Sequence, residues 1–328
     1  MPDLPARLDL DGLHRLVRGR LHDDATTGSD LDLARAAVAH EHGFADWAEV
    51  EREVDRRAVL NSRDPDRLAG LLARHPEAAT TRMGRWSDHR EGADVLGYLA
   101  MLRLDHRRLG LPRDLPGVGA VARALIAAGA PVDGHPGAKE TPLITAASCG
   151  DTTVAAVLIE AGADVEAVSA PDSGGVPGST ALVHAAVFGM TGVLDLLVAA
   201  GARVDSLEMA AAAGDVDAWE LASCAPQSRL RALVFAADHQ RLGVVDRLVA
   251  AGTPVDEADA EWRRMPLHVA AGNGRPAGVR RLLDHGADPD HRDPVRLRTA
   301  LEWCRSSEDY PDSPAHQEVA EVLRAASA

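Results

Sequence analysis

Lysine is nearly missing from this sequence: Lys139 is the only one, so almost all basic charge is arginine. Asn and Ile are scarce as well, a composition read as the codon bias of a GC-rich genome. Aromatic residues make up 3% of a chain that is 46% hydrophobic. The apolar content is therefore mostly Ala, Leu and Val, which suits closely spaced helices with small side chains at their contacts. The three cysteines, Cys149, Cys224 and Cys304, are odd in number and lack metal-ligand or redox spacing, as expected for reduced thiols in a cytoplasmic protein. No run approaches the roughly 18 apolar residues that span a bilayer, and the opening "MPDLPARLDLDGLHRLVRGR" has no apolar signal region. A soluble chain with no membrane partner is expected. Positive charge is in deficit, with 50 Asp and Glu against 35 Lys and Arg and a formal charge of −15; this repels phosphate backbones and argues against a nucleic-acid partner. Gly-rich phosphate loops, serine elbows and zinc motifs are also missing, so no cofactor is expected.

What is present is self-similarity. The phrases "AAGAPVD", "EAGADVE", "AAGARVD", "AAGTPVD" and "DHGADPD" recur around Gly129, Gly162, Gly201, Gly252 and Gly286. The first and last of these intervals fit a repeat period of about 33 residues. A second set, "ETPLITAASCG" (140–150), "STALVHAAVFG" (179–189) and "RMPLHVAAGNG" (264–274), precedes amphipathic "VxxLLxxGA" segments. In each unit a Pro can open the inner helix where its missing N–H costs nothing, with Thr able to cap. The later Gly can end the outer helix in a left-handed turn. One such unit cannot bury its apolar face alone, so neighbours must stack. These phrases resemble the ankyrin repeat over roughly residues 94–328, with degenerate units at "ADVLGYLAMLRL" and "RTALEWCRSS". The resemblance implies an all-α ankyrin-repeat solenoid of about seven helix pairs with short hairpin fingers, one repeat truncated.

Residues 1–57 differ from the rest. "LDLARAAVAHEHGFADWAEVEREV" (31–54) reads as two helices, Gly43 ending the first while Asp46 and Glu49 form a capping box for the second. It resembles the helical leader that precedes ankyrin arrays in many bacterial proteins, "HGFADW" being the recognisable part. Phe44 and Trp47 are expected to cover the apolar end of the stack. The domains are therefore read as a cap over 1–57 and an array over 58–328, degenerate at 58–133 and 206–230.

Departures from the repeat are the informative places. The interval from Gly162 to Gly201 is longer than one period, with the excess in "SAPDSGGVPGS", a finger expected to be long and mobile. The interval from Gly201 to Gly252 is too short for two full repeats, and reads as two helix pairs with no finger between them. That omission is expected to open one side of the concave groove. By the resemblance, the groove is lined by finger tips and by the two residues before each inner-helix glycine: Met101 and Leu102, Ser148 and Cys149, Val187 and Phe188, Ala212 and Ala213, Asp238 and His239, Gly272 and Asn273, Ser306 and Ser307. The polar pair Asp238 and His239 stands out, with Asn273 and the finger residues Trp262, Arg263 and Arg264 nearby; an Asp-His pair on a solvated helix face, however, needs no function.

The candidate binding residues are Cys149, His184, Val187, Phe188, Asp238, His239, Trp262, Arg263, Arg264 and Asn273. Arg263 and Arg264 fall in a locally basic stretch and could anchor a carboxylate or an acidic partner segment. His268, at the His of the family phrase, resembles a structural hydrogen-bonding residue. His285, Asp288, Asp290 and His291 offer metal-binding atoms, but no spacing fixes a tetrahedral site, and no metal is expected. A Cys149–His239 dyad is rejected, since three helix layers at about 8–10 Å each separate the two. Two functions stay open, beside a purely structural or oligomeric role. The first is a non-catalytic module binding a protein or peptide in its groove, as the resemblance implies, with Phe188 and Trp262 as anchors. The alternative is a cofactor-free enzyme or small-molecule binder, with His239 as general acid or base and Asp238 tuning it, for isomerisation, dehydration or cyclisation.

Overall fold

Each helix of the repeat must find partners for the free N–H groups of its first turn and a way to reverse at its end. How the sequence meets both needs is visible in a computed structural model that describes residues 14–15, 17–18, 28–41, 43–83, 93–114 and 116–327. Most of the N-terminal stretch read for a signal region, and His42 of the "HGFADW" phrase, lie outside the described residues. The helices are α1 (Gly28–Glu41), α2 (Trp47–Ser62), α3 (Pro65–Arg74), α4 (Val95–Leu109), α5 (Val118–Ala127), α6 (Pro142–Cys149), α7 (Thr152–Glu160), α8 (Ala181–Val187), α9 (Thr191–Ala199), α10 (Leu207–Ala213), α11 (Pro226–Asp238), α12 (Leu242–Ala250), α13 (Pro266–Gly272), α14 (Pro276–Asp284), α15 (Ala300–Arg305) and α16 (Pro314–Ala326). None is long and apolar enough to cross a membrane. In α6 the Thr141 hydroxyl accepts the Ile144 N–H at 3.2 Å with Pro142 in the first turn. At the ends of α5, α7, α9, α12 and α14, Gly129, Gly162, Gly201, Gly252 and Gly286 turn left-handed at φ 95°, 84°, 89°, 83° and 85°.

The chain packs as two compact units, Met1–Ala181 and Leu182–Ala328. In the first, α4 packs on α5 and α6, and α7 packs on α5 and α6, burying Leu96, Leu99, Leu125, Leu143, Ile144 and Leu158. The N-terminal segment folds as α1 against α2, with Val38, Ala39, Phe44, Val50 and Val54 in one apolar cluster and Trp47 half-buried against it. Asp46 Oδ1 accepts the Glu49 N–H at 2.7 Å, while Glu49 Oε2 accepts the N–H of Ala45 at 2.6 Å. The two caps are thus reciprocal but displaced by one residue from a capping box. The long finger contains one antiparallel bridge, Val168 with Thr180. It is further tied by Ser169 N–H to Ser179 O at 3.0 Å and by the Lys139–Asp172 ion pair at 2.6 Å.

The second unit contains the repeat that the glycine spacing marks as short. Two helix pairs are expected there, but the structure differs: α10 ends at Gly214, and the outer helix is replaced by a turn and a single 3₁₀ turn, Leu221–Ser223, before Pro226 starts α11. The reason is length. Gly214 and Pro226 leave too little chain for a helix and a second reversal, so α11 packs directly on α10. Val216 and Leu221 from the connection, with Trp219 half-buried beside them, fill the space an outer helix would occupy. Onward, α11 packs on α12 and α13, α13 on α14 and α15, and α16 closes against α14 and α15.

Candidate functional site

Helix α8 ends with backbone carbonyls that its last turn satisfies only in part, and side chains from later repeats reach back to them. His239 Nε2 donates to Ala186 O at 3.0 Å, Arg264 Nη1 to Val187 O at 3.2 Å, and Arg275 Nη2 to Gly189 O. These three contacts close the end of α8 against later repeats, so the expectation that Asp238 and His239 line an opened groove is corrected.

Asp238 and His239 belong to this closure. They are 1% and 2% exposed, so neither lines an open surface. Asp238 accepts both of its short contacts with the Asn273 amide, at 2.9 and 3.0 Å, and pairs with Arg275 Nε at 3.2 Å. His239 uses its second ring nitrogen on the Thr191 hydroxyl at 2.8 Å. Burial holds its pKa below the ordinary histidine value, although Asp238 pulls the other way, so the ring is neutral and both nitrogens are occupied. Gly189 is required here: at φ 70°, a Cβ would lie 2.9 Å from Asp238 Oδ2 and 3.0 Å from Asn273 Nδ2.

His184 is likewise fully buried, its ring 6.3 Å from that of Phe188 and tilted by 40°. His268 is buried, donates Nε2–H to Arg298 O at 3.0 Å and meets Trp303 edge-on. His285 is committed to Asp246 at 2.7 Å, and among the described residues no group of His, Cys, Asp and Glu is arranged to hold a metal ion. Cys149, in the first unit, is buried, and burial pushes its thiol up to about 12.

Four of the remaining candidates share one depression. Val187, Phe188, Arg264 and Asn273 line a depression of about 350 Å³ with Val269, Gly272, Trp303, Ser306 and Ser307. Phe188 is 37% exposed at its rim. Trp262 is 39% exposed, with its ring edge-on to Phe235 and the Arg264 guanidinium 5.4 Å above it. A second depression, of about 380 Å³, shares Ser306 and is lined by Arg292, Leu297, Arg298, Glu302 and Arg305.

Two finger turns position this surface, and both are built the same way. Asp259, 1% exposed, accepts the N–H groups of Glu261, Trp262 and Arg264 at 3.1, 2.7 and 2.9 Å, with Arg263 left-handed at φ 54°. Asp293, also 1% exposed, accepts those of Val295, Arg296 and Arg298 at 2.9, 2.6 and 2.9 Å, with Leu297 at φ 54°. Asp293 also accepts the Trp303 indole N–H at 3.0 Å. Burial alone would raise the Asp293 pKa, but these donors outweigh it and hold the carboxyl well below the usual carboxylate range. Sequence reading missed both aspartates and Trp303. The signal was there: "DAEWRRMPL" from 259 and "DPVRLRTAL" from 293 align Asp, Arg and Leu one repeat apart.

Against known proteins, residues 117–208 match the family described as "Ankyrin repeats (3 copies)" and residues 263–294 the one described as "Ankyrin repeat". The chain therefore carries ankyrin repeats, and its all-α helix pairs are those of an ankyrin solenoid. No curated protein matches. Among solved structures, the ankyrin repeat domain of human ASB11 is similar at 23% identity, over 70% of this chain and 97% of that one, with a TM-score of 0.33.

Proposed function

We propose that this chain is a non-catalytic binding module that docks a protein or peptide partner on the face of the second unit formed by the end of α8 and the fingers before α13 and α15. One observation carries the proposal: the large apolar side chains that the second unit leaves exposed, Phe188, Trp262, Val295 and Leu297, all belong to that face. Exposed aromatic and aliphatic side chains gathered beside concave surface are characteristic of interaction sites, and aromatic anchors usually supply most of the affinity. Nothing favours the catalytic alternative, because a general base must reach its substrate and His239 is enclosed with both nitrogens bonded.

The test is affinity capture from an extract of the source cells with the parent chain and with a Phe188→Ala/Trp262→Ala variant. A protein retained by the parent and lost by the variant, at unchanged thermal unfolding, is the expected result. Identical captures would sink the proposal.

A further inference from the structure

The arginines of the second unit fall into two groups. Several on or beside the helices are neutralised by acids of neighbouring elements: Arg231 by Glu208 and Glu261, Arg241 by Asp195, Arg247 by Asp217, Arg280 by Glu318 and Arg281 by Asp246. Around the two depressions this pattern fails. Arg263, Arg264, Arg296, Arg298 and Arg305 form no ion pair among the described residues. The one carboxylate lining the second depression, Glu302, is already used by Arg292 at 3.4 Å and by the cap of its own helix, where it accepts the Thr299 N–H at 2.9 Å. In a chain with a formal charge of −15, acids are abundant, so a face that leaves five guanidiniums without them is locally basic by arrangement and not by composition.

We infer that the partner segment docked on this face is an extended acidic peptide, with two carboxylates about three residues apart and an apolar side chain between or beside them. This rests on the docking proposal above and gives it a chemistry. Arg264 and Arg298 are the same position in successive fingers, each fixed by its buried aspartate, and Arg264 lines the first depression while Arg298 lines the second. Successive packed helix layers are about 8–10 Å apart, and three residues of polyproline-II chain, at about 3.1 Å each and three to a turn, cover that distance with both carboxylates on one side. The apolar side chain enters the first depression between Phe188 and Trp303, with Val269 beneath. Guanidiniums favour carboxylates because they can donate two parallel N–H groups. Arg264 and Arg296 are further held in place over Trp262 and Trp303, at 5.4 and 5.3 Å.

The probe is a random twelve-residue peptide library displayed on phage and selected against the full chain, with the selected peptides then synthesised and their affinities measured. Acid pairs at the three-residue spacing beside Phe, Leu or Trp are expected. Affinity should fall about tenfold or more in Arg264→Glu and Arg298→Glu and not in Arg280→Glu, whose residue is paired on an outer helix. A charge-swapped peptide carrying lysines should recover binding to the Arg264→Glu/Arg298→Glu variant, which also shows that the variant is folded. Peptides lost by Phe188→Ala but free of acids and indifferent to the arginine substitutions would overturn this inference and leave the docking proposal standing. Selected peptides with no dependence on Phe188 or Trp262 would remove both. Displacement of the acidic peptides by a single-stranded oligonucleotide at equal concentration would reassign the face to phosphate backbones.

Discussion

Among single residues, Asp238 and His239 act as a tie between repeats. Asp238 neutralises Arg275 and holds Asn273, and Arg275 in turn satisfies Gly189 O. Removing one partner of a buried pair leaves an uncompensated charge, so Asp238→Ala should cost about 3 kcal/mol in denaturant unfolding. A change under about 0.5 kcal/mol, the size expected of a surface substitution, would instead place the pair on an open surface. His239 adds a pH signature. Its folded pKa is lowered by burial, so below about 6.5 the unfolded chain takes up a proton that the folded one refuses. Its contribution is complete above that value and is lost as pH falls from there. Stability of the parent should therefore decline between about pH 7 and pH 5, and His239→Gln should flatten that decline.

In the fingers, the two buried aspartates organise turns that contain little apolar burial of their own. Asp293→Ala should speed amide hydrogen exchange at Val295, Arg296 and Arg298 far more than it lowers global stability, since local opening need not involve the stack. The Asp293 pKa is depressed, so its support is present above about pH 3.9 and lost as pH falls below it. Finger protection, taken as exchange relative to that of an unstructured peptide at the same pH, should fall on acidification before the helices unfold. Helix starts and stops were legible in the sequence because Thr141, Pro142 and the left-handed glycines act locally. The truncated repeat was visible as a short interval, but its outer helix was not recognisable as absent, because "DVDAWELASC" keeps apolar spacing that serves a turn equally well. Phe188, Arg264 and Asn273 could be placed at the site by position in the repeat. The burial of Asp238, His239 and His184 could not, because it depends on where α8 ends relative to helices far later in the chain.

Across the whole molecule, stability in a repeat array is a sum of local and nearest-neighbour terms. The N-terminal segment contributes one such term: α2 packs on α3 and α4 and shares an apolar cluster with α1. Deleting residues 1–57 should lower the melting temperature or the solubility of the first unit, and unchanged values would show that this segment stands alone. Lys139, the sole lysine, is on a finger of the first unit and held by Asp172, whereas the docking face of the second unit is charged by arginine alone. Amine-reactive dyes and amine-coupling sensor surfaces should thus attach at that finger or at the chain's α-amino group, leaving every guanidinium chemically untouched and the immobilised molecules in few orientations.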